Sequence, residues 1–206
     1  MAEAPISAAE TQEFEALIDG LTADGFGLSD QFLSPEILAG LRAQLLDHHA
    51  GGGMSPAGIG QQQDFQRDAT VRRDVIRWIE EDSRQPEEAW LNAKLDRFMA
   101  YLNRTCFTGL REREFHYAYY GPGSFYKRHI DQFRGDRGRK FSLVIYLNEA
   151  WTPTDGGQIA LYLPEGPREV FPLGGRAVFF RSDELEHEVK ASPERFRLSI
   201  AGWLKN

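Results

Sequence analysis

The chain of 206 residues carries FSLVIYL at positions 141–147, in which bulky apolar side chains fill every second position. An alternation with a period of two predicts a β-strand, because successive Cβ atoms point to opposite faces of a sheet. The other face of this strand would hold Ser142, Val144 and Tyr146. The stretch therefore predicts a strand whose apolar face packs against a core, while its second face, with Ser142, Val144 and Tyr146, points away from that core.

A second stretch, at residues 195–203, reads RFRLSIAGW and alternates in the same way. One of its faces places the small side chains of Ser199 and Ala201 between Arg197 and Trp203. Small side chains leave volume beside a cation and an indole. This face therefore predicts either the floor of a cavity with one charged anchor or an exposed polar face on an edge strand.

Residues 111–206 are dominated by short runs rich in Val, Ile, Phe and Tyr, separated by turns that contain Gly or Pro. That spacing predicts an all-β sandwich or barrel. Three earlier helices are predicted from their apolar repeats, at about residues 11–21, 35–47 and 86–103. We therefore expect a mainly β protein with one domain over residues 1–206, in which a helical buttress and a loop (1–110) support a jelly-roll-like β core (111–206).

The segment between the second and third predicted helices reads AGGGMSPAGIGQQQDF over residues 50–65. It is rich in Gly and Gln and has few side chains to bury. Two interpretations are open, a disordered connector or a mobile lid, because long loops inside compact domains are often functional.

Composition and charge argue against several functions. The net charge of −7 disfavours a nucleic-acid partner, because neutralising phosphates requires clustered Lys and Arg. No apolar run approaches the roughly 18–20 residues that cross a bilayer, so no membrane partner is expected. Cys106 is the only cysteine and the N-terminus shows no signal peptide, which together predict a reducing, cytoplasmic location. We expect the protein to be a monomer.

A candidate metal site lies in FYKRHIDQF, residues 125–133, where one apolar residue separates His129 from Asp131. On a strand both side chains would point to the same face, so an imidazole and a carboxylate could converge on one cation. An isolated His-x-Asp is more often a surface ion pair, so a third ligand is needed to distinguish a metal site from such a pair. His187 lies on a short predicted strand and is the preferred candidate, while His116 remains open.

Two histidines and one carboxylate suit non-haem Fe(II), since they fill one face of an octahedron and leave three positions open. Those positions can take a bidentate 2-oxo acid and dioxygen, whereas a catalytic zinc more often keeps a single open position. Arg197, ten residues after His187, can bind the distal carboxylate of 2-oxoglutarate through its forked guanidinium. Tyr146 can add a hydroxyl donor to the same carboxylate.

With these residues in place, the chain resembles the 2-oxoglutarate- and Fe(II)-dependent prolyl hydroxylases, in particular the oxygen-sensing animal enzymes and their bacterial relatives. The resemblance spans residues 71–203, and the first 30 residues add little to it. It rests on YGPGSFYKRHID at residues 120–131, VIYLNEAW at 144–151, FFRSDELEHEV at 179–189, VRRDVIRWI at 71–79, and Arg197 followed six residues later by Trp203.

The resemblance implies a double-stranded β-helix in which His129, Asp131 and His187 bind Fe(II). It implies that Arg197 and Tyr146 bind the C5 carboxylate of 2-oxoglutarate. It also implies that no side chain beyond the metal centre acts as a catalytic acid or base.

By the same resemblance Tyr120 lines the cosubstrate pocket, with Tyr119 as the alternative. The turn before the metal motif is one residue shorter than in the animal enzymes, and the interval from His187 to Arg197 is one residue longer. The implied substrate-binding residues lie under a lid formed by the Gly-rich loop, and they are Trp203, Arg72, Asp74 and Tyr126.

The activity implied is that of a peptidyl-prolyl 4-hydroxylase, which converts a proline in a loop of another protein to hydroxyproline. Fe(II), 2-oxoglutarate and O2 are required, ascorbate is the implied reductant, and succinate and CO2 are released. A translation factor such as elongation factor Tu is the suggested target. Two other functions stay open, namely an oxygenase of the same fold acting on free proline or a metabolite, and a non-catalytic β-barrel that senses an anion through Arg197.

Overall fold

Three α-helices support one side of the molecule. The structure, a computed structural model, describes residues 6–58, 68–132 and 138–206. The helices within these ranges are α1 (Ala8–Asp24), α2 (Pro35–Ala50) and α3 (Pro86–Cys106). All three were predicted, and each is longer than its apolar repeat indicated. Within the described residues, no helix combines the length and the apolarity needed to cross a membrane.

Local hydrogen bonds set where the first two helices begin. The hydroxyl oxygens of Ser7 and Ser34 accept hydrogen bonds from the backbone N–H groups of Glu10 (3.1 Å) and Ile37 (3.4 Å). Such bonds satisfy N–H groups that otherwise have no partner in the first helical turn. Helix α1 therefore begins at Ala8, several residues before the apolar repeat becomes visible in the sequence.

The β-strands form two antiparallel sheets. Within the described ranges they are β1 (Phe26–Ser29), β2 (Ser55–Pro56), β3 (Val75–Trp78), β4 (Glu112–Tyr120), β5 (Tyr126–His129), β6 (Arg139–Tyr146), β7 (Ile159–Leu163), β8 (Gly166–Val170), β9 (Ala177–Arg181), β10 (His187–Val189) and β11 (Arg197–Lys205). Seven of them form a large sheet in the order β1-β9-β6-β11-β4-β3-β2, and four form a small sheet in the order β5-β10-β7-β8. The mainly β architecture with helical support agrees with the sequence prediction.

Three strands lie in the first half of the chain, where only helices and a loop were predicted. Strands β1, β2 and β3 are four, two and four residues long, which is too short for an alternating pattern to be read. They join the large sheet beside strands from the second half, since β1 pairs with β9 and β3 pairs with β4. The expected division into a helical first half and a β second half is therefore incomplete, because the first half contributes the sheet's edges.

The two faces of the large sheet carry different residues, as the alternation predicted. Leu143, Ile145, Leu198 and Ile200 are fully buried in a core that includes side chains of all three helices. The intervening residues of the same strands point to the opposite face. Residues 59–65 of the proposed Gly-rich loop lie outside the described residues, so the lid interpretation remains a prediction.

We expect Ile200→Ala to lower the free energy of unfolding by about 2–5 kcal/mol, because it removes a fully buried side chain from the central strand β11. Chemical denaturation followed by circular dichroism measures the change. Phe107→Ala is the matched control, because Phe107 is 88% exposed and its loss should cost no more than about 0.5 kcal/mol. Equal effects of the two substitutions would contradict the assignment of this core.

Candidate active site

Two short neighbouring strands bring the predicted metal ligands together. His129 ends β5 and lies directly opposite His187, the first residue of β10, so both imidazoles stand on the same side of the small sheet. Their ring centroids are 4.2 Å apart. The two oxygens of Asp131 lie 3.4 Å from His129 Nε2 and 3.7 Å from His187 Nε2. All three potential ligand atoms lie within 4.8 Å of one another.

Hydrogen bonds to the backbone fix which nitrogen of each imidazole faces the cluster. His129 Nδ1 lies 2.7 Å from the carbonyl oxygen of Lys127, and His187 Nδ1 lies 3.1 Å from that of Leu185. A carbonyl can only accept, so each Nδ1 carries a proton, and in the neutral ring Nε2 is the nitrogen that presents its lone pair to the cluster. This outer hydrogen bond is typical of metal-binding histidines, since it fixes the tautomer and the ring orientation.

The Asp131 side chain is held by partners that the sequence did not reveal. Ser142 Oγ donates a hydrogen bond of 2.7 Å to Asp131 Oδ2, and Ser182 Oγ lies 2.8 Å from Ser142 Oγ. Arg139 Nη1 donates to the backbone oxygen of Asp131 at 3.2 Å. The face assignment of 141–147 contained a signal for Ser142, but Ser182 and Arg139 follow from contacts between distant strands.

Electrostatics leave the His187 imidazole neutral and the Asp131 side chain ionised at neutral pH. Burial lowers the pKa of His187 to about 4, because the protonated form would lose its hydration. Burial alone would raise the pKa of Asp131, but the two imidazoles and the Ser142 hydroxyl hold it well below its usual range. Neutral imidazole nitrogens and an ionised carboxylate are the protonation states that bind a divalent cation. The donor set therefore fits Fe(II).

A cavity of about 480 Å³ opens beside the cluster. Its floor comes from the face of β11 whose small side chains left the sequence interpretation open: Arg197, Ser199, Ala201 and Trp203 all line it. The structure therefore decides for the cavity floor and against the exposed edge-strand face.

Arg197 is a buried cation that lacks an anionic partner in the described part of the chain. It is 2% exposed, and its one hydrogen bond there is from Nη1 to Ser199 Oγ at 3.1 Å. Its Nε has no hydrogen-bond acceptor within the same ranges, and neither does the buried Tyr146 hydroxyl have a partner. A buried unpaired charge is strongly unfavourable, so this end of the cavity is suited to an anion.

The register of β11 against β4 resolves which tyrosine faces the cavity. Tyr120 lies opposite Arg197, lines the cavity, and its ring centroid is 4.9 Å from the Arg197 guanidinium carbon. Tyr119 points the other way and stacks on His49 with ring centroids 3.6 Å apart. Burial raises the pKa of both Tyr120 and Tyr146, so both phenols remain hydrogen-bond donors at neutral pH. The geometry favours Tyr120 over Tyr119.

Three of the predicted substrate-binding residues form a stack that ends on a metal-ligand candidate. Arg72 donates to both oxygens of Asp74 at 2.8 and 2.6 Å, and its guanidinium carbon lies 4.2 Å from the centroid of the Tyr126 ring. Tyr126 stacks on His129 at 3.5 Å. The side chain of Asp74 is fully buried behind Arg72. Arg72 and Tyr126 line the cavity, whereas Asp74 holds Arg72 in place.

The remaining histidine left open by the sequence, His116, lies outside the metal cluster. It lines the cavity and packs edge-on against Trp78, with ring centroids 5.0 Å apart. Its ring is tilted against that of Trp203, with ring centroids 5.5 Å apart. Its Nδ1 has no hydrogen-bond partner among the described residues. The structure therefore separates this imidazole from the metal ligands and places it beside Trp203.

Comparison with known proteins identifies the family. Residues 115–205 match the profile of the 2OG-Fe(II) oxygenase superfamily. A crystal structure of a Pseudomonas putida prolyl-4-hydroxylase is 35% identical and superimposes with a TM-score of 0.84, over 94% of this chain and 98% of that one. The chain belongs to the 2-oxoglutarate- and Fe(II)-dependent prolyl hydroxylases.

Animal members of the same family are also similar to this prolyl hydroxylase. A Trichoplax adhaerens prolyl hydroxylase, solved with a peptide fragment of the hypoxia-inducible factor oxygen degradation domain, is 28% identical with a TM-score of 0.85, covering 96% of this chain and 90% of that one. Human prolyl hydroxylase EGLN3 is 27% identical over 186 residues, which is 86% of this chain and 77% of the human protein.

Membership of the family confirms three predictions made from the sequence. The fold is a double-stranded β-helix with helical support, as in the matched oxygenases. The protein is an Fe(II)- and 2-oxoglutarate-dependent dioxygenase with prolyl hydroxylase activity, and O2 is its second cosubstrate. The His129–Asp131–His187 cluster fits the iron that the family uses. The role of ascorbate stays a prediction.

We expect Asp131→Ala and His187→Ala each to weaken Mn(II) or Fe(II) binding by on the order of 100-fold or more, because each removes a donor from the cluster. Titration of Mn(II) followed by electron paramagnetic resonance, without any cosubstrate, measures the affinity directly. Ser142→Ala should give a smaller loss of about tenfold, because it removes only the hydrogen bond that orients Asp131.

His49→Ala is the control for these variants, because His49 stacks on Tyr119 away from the cluster. Its metal affinity should equal that of the wild type. Wild-type affinity in His187→Ala would remove this histidine from the metal site.

Proposed function

We propose that this prolyl hydroxylase acts on a proline in a loop of another protein, with Fe(II) bound by His129, Asp131 and His187 and with 2-oxoglutarate anchored by Arg197. The observation that carries the proposal is the buried guanidinium of Arg197, which has no anionic partner among the described residues and lies in the same cavity as the three metal-ligand candidates. When bound, the ferrous centre supplies the oxidative chemistry that turns proline, 2-oxoglutarate and O2 into hydroxyproline, succinate and CO2.

The residues around Arg197 suit the distal carboxylate and the carbon chain of 2-oxoglutarate. The guanidinium offers a forked pair of donors, and the hydroxyls of Tyr146 and Tyr120 can donate to the same carboxylate. Ser199 and Ala201 follow Arg197 on the cavity floor, and their small side chains leave room for an extended dicarboxylate. These five side chains orient the cosubstrate.

Apolar side chains keep water away from the middle of the cavity. The apolar residues that line the same cavity as the metal cluster and Arg197 are Val144, Ile159, Val189, Ile76 and Ala118. In a site with little water, the ionic contacts to the cosubstrate are stronger and the reactive centre is protected from side reactions. The protein therefore acts by positioning and water exclusion, and its proposed mechanism uses no side chain as an acid or base.

The mouth of the cavity supports a macromolecular substrate. Trp78 and Ile130 line the cavity while remaining 46% and 37% exposed. Exposed apolar side chains around a polar site are typical of a surface that a protein partner covers. Gly53, Ser55 and Gly58 of the Gly-rich loop also line the cavity. The peptide bound to the Trichoplax relative gives further support for a peptide substrate.

This arrangement supports the proposed roles of the substrate-binding residues. Trp203 lines the cavity and its ring packs against Arg139. Arg72 and Tyr126 form the cavity wall beside His129. We assign Asp74 to holding Arg72, because both oxygens of its carboxylate accept from that guanidinium. The target favoured by the family resemblance is a translation factor such as elongation factor Tu, and the enzyme is proposed to work as a cytoplasmic monomer.

The proposed substrate class is tested by incubating the protein with Fe(II), 2-oxoglutarate, ascorbate and cell extract, then mapping +16 Da sites by mass spectrometry. We expect hydroxylation at one or a few prolines in exposed loops, absent without 2-oxoglutarate and absent with Asp131→Ala. Turnover of free proline without any modified protein would instead favour a small-molecule oxygenase. Anion binding without turnover of any substrate would favour a non-catalytic sensor.

Arg197→Ala should raise the KM for the cosubstrate by about 100-fold or more, because it removes the buried partner of a carboxylate. Arg197→Lys should fall between this variant and the wild type, since an ammonium keeps the charge but loses the forked geometry. Arg195→Ala is the matched control, because Arg195 pairs with Asp155 near the surface. An unchanged KM in Arg197→Ala would place the cosubstrate anchor elsewhere.

A further inference from the structure

The cavity has a second end, which the cosubstrate anchor leaves free. His116 lies opposite Ala201 in the β4–β11 register, four residues along β11 from Arg197 and so roughly 13 Å away. Trp78 lies opposite His116 on β3, and Trp203 lies two residues beyond Ala201. We call the three rings of Trp78, His116 and Trp203 the aromatic end of the cavity.

Two buried polar atoms at the aromatic end have no hydrogen-bond partner among the described residues. They are Nδ1 of His116 and Nε1 of Trp203, in side chains whose ring centroids are 5.5 Å apart. A buried polar atom without a partner is unfavourable and is rare in folded proteins. Two of them in one cavity wall indicate a place where a bound molecule supplies the missing hydrogen bonds.

The chemistry of the two rings defines what they can recognise. An indole N–H can only donate, whereas a neutral imidazole has one donor and one acceptor. Burial lowers the pKa of His116 to about 4, and the nearby charges of Arg72, Asp74, Arg139 and Asp131 shift it less. His116 is therefore neutral at pH 7. The pair can donate one hydrogen bond and accept another without carrying a charge.

The surroundings of the aromatic end favour a neutral ligand. Arg139 lies over the Trp203 ring at 3.4 Å, but its guanidinium donates to Glu114 through Nε (3.0 Å) and Nη2 (2.8 Å). The Glu114 carboxylate therefore balances the positive charge of Arg139, and the ion pair holds the Arg139 guanidinium against the indole of Trp203. Trp78, which is 46% exposed, offers an apolar face at the mouth. A group with one donor, one acceptor and no charge matches these features.

The main-chain N–H and C=O of one extended residue form such a group, because they point to the same side of the chain. We infer that His116 and Trp203 together hydrogen-bond the main-chain N–H and C=O of a substrate residue next to the target proline, which makes His116 a specificity-determining residue for peptides. The inference rests on the proposed protein substrate. Proline itself has no N–H, so the N–H recognised must belong to a flanking residue. Free proline lacks this flanking amide and would leave both ring nitrogens unpaired.

The test begins with wild-type enzyme and a random library of prolyl peptides, scored by peptide-dependent succinate release. The peptide turned over fastest is the probe for all later steps. Failure of the wild type with every peptide would overturn the proposed function, and the inference with it, before any variant is made. Success there leaves the inference to be decided by the His116 variants alone.

We expect His116→Phe, which keeps the ring but removes both nitrogens, to raise the KM for the probe peptide about tenfold. The KM for the cosubstrate should not change. His116→Gln, which keeps a donor and an acceptor, should recover part of the loss. His49→Phe is the matched control and should behave as wild type. If His116→Phe fails to fold by circular dichroism, His116→Leu replaces it.

Binding without turnover supplies an independent readout. With Fe(II) and 2-oxoglutarate but no dioxygen, the Kd for the peptide from tryptophan fluorescence should rise by the same factor in His116→Phe. A scan that N-methylates each peptide amide in turn should find one position where methylation weakens binding to the wild type but not to His116→Phe. Equal losses in both proteins at every position, or an unchanged Kd in His116→Phe, would overturn the inference.

Discussion

The active site depends on the register between two very short strands. β5 has four residues and β10 has three, yet their pairing alone sets His129 opposite His187. A slip of one residue would turn His187 to the other face of the small sheet and break the metal cluster. The register is held from the far side, where β7 pairs with β10 and places the fully buried Leu161 opposite His187. Packing inside the small sheet therefore determines whether the three ligand candidates meet.

Charge links the two ligands that the cavity is proposed to bind. Asp131 and Arg197 are opposite charges in one cavity, but each faces a different part of it and they do not pair with each other. A divalent cation at Asp131 adds positive potential to a site with little water, and a dianion that bridges toward Arg197 compensates for it. Metal binding should therefore strengthen 2-oxoglutarate binding, and by thermodynamic reciprocity the cosubstrate should strengthen metal binding. The charges of Asp131, Arg197, the divalent cation and the dianion sum to zero when both ligands are present.

Sequence periodicity was informative wherever the two faces of a strand have different surroundings. It separated the two faces of β6 and of β11, because the side chains differ between alternate positions there, but it left open whether the second face of β11 was a cavity floor or an exposed edge. It could not choose between Tyr119 and Tyr120, because that choice depends on how many residues the following turn contains. The register that places Arg197 opposite Tyr120 favours Tyr120. The edge strands β1–β3 were missed because two to four residues are too few to show a period. The hydrogen bond from Ser142 to Asp131 joins a residue on β6 to one just after β5, and because these strands belong to different sheets the contact could not be read from the sequence.

The position of Arg197 is set by a backbone clamp as much as by its own contacts. Asn148 lies just after β6 and is 4% exposed. Its Oδ1 accepts from the N–H of Leu198 at 2.7 Å, and its Nδ2 donates to the carbonyls of Leu198 (3.2 Å) and Pro172 (2.8 Å). These bonds tie the first residues of β11 to the loop that precedes β9. Since Leu198 faces the core and Arg197 faces the cavity, fixing the backbone of one fixes the direction of the other. Strand β11 therefore packs against the helices through Leu198 and, through the adjacent Arg197, positions the proposed cosubstrate anchor.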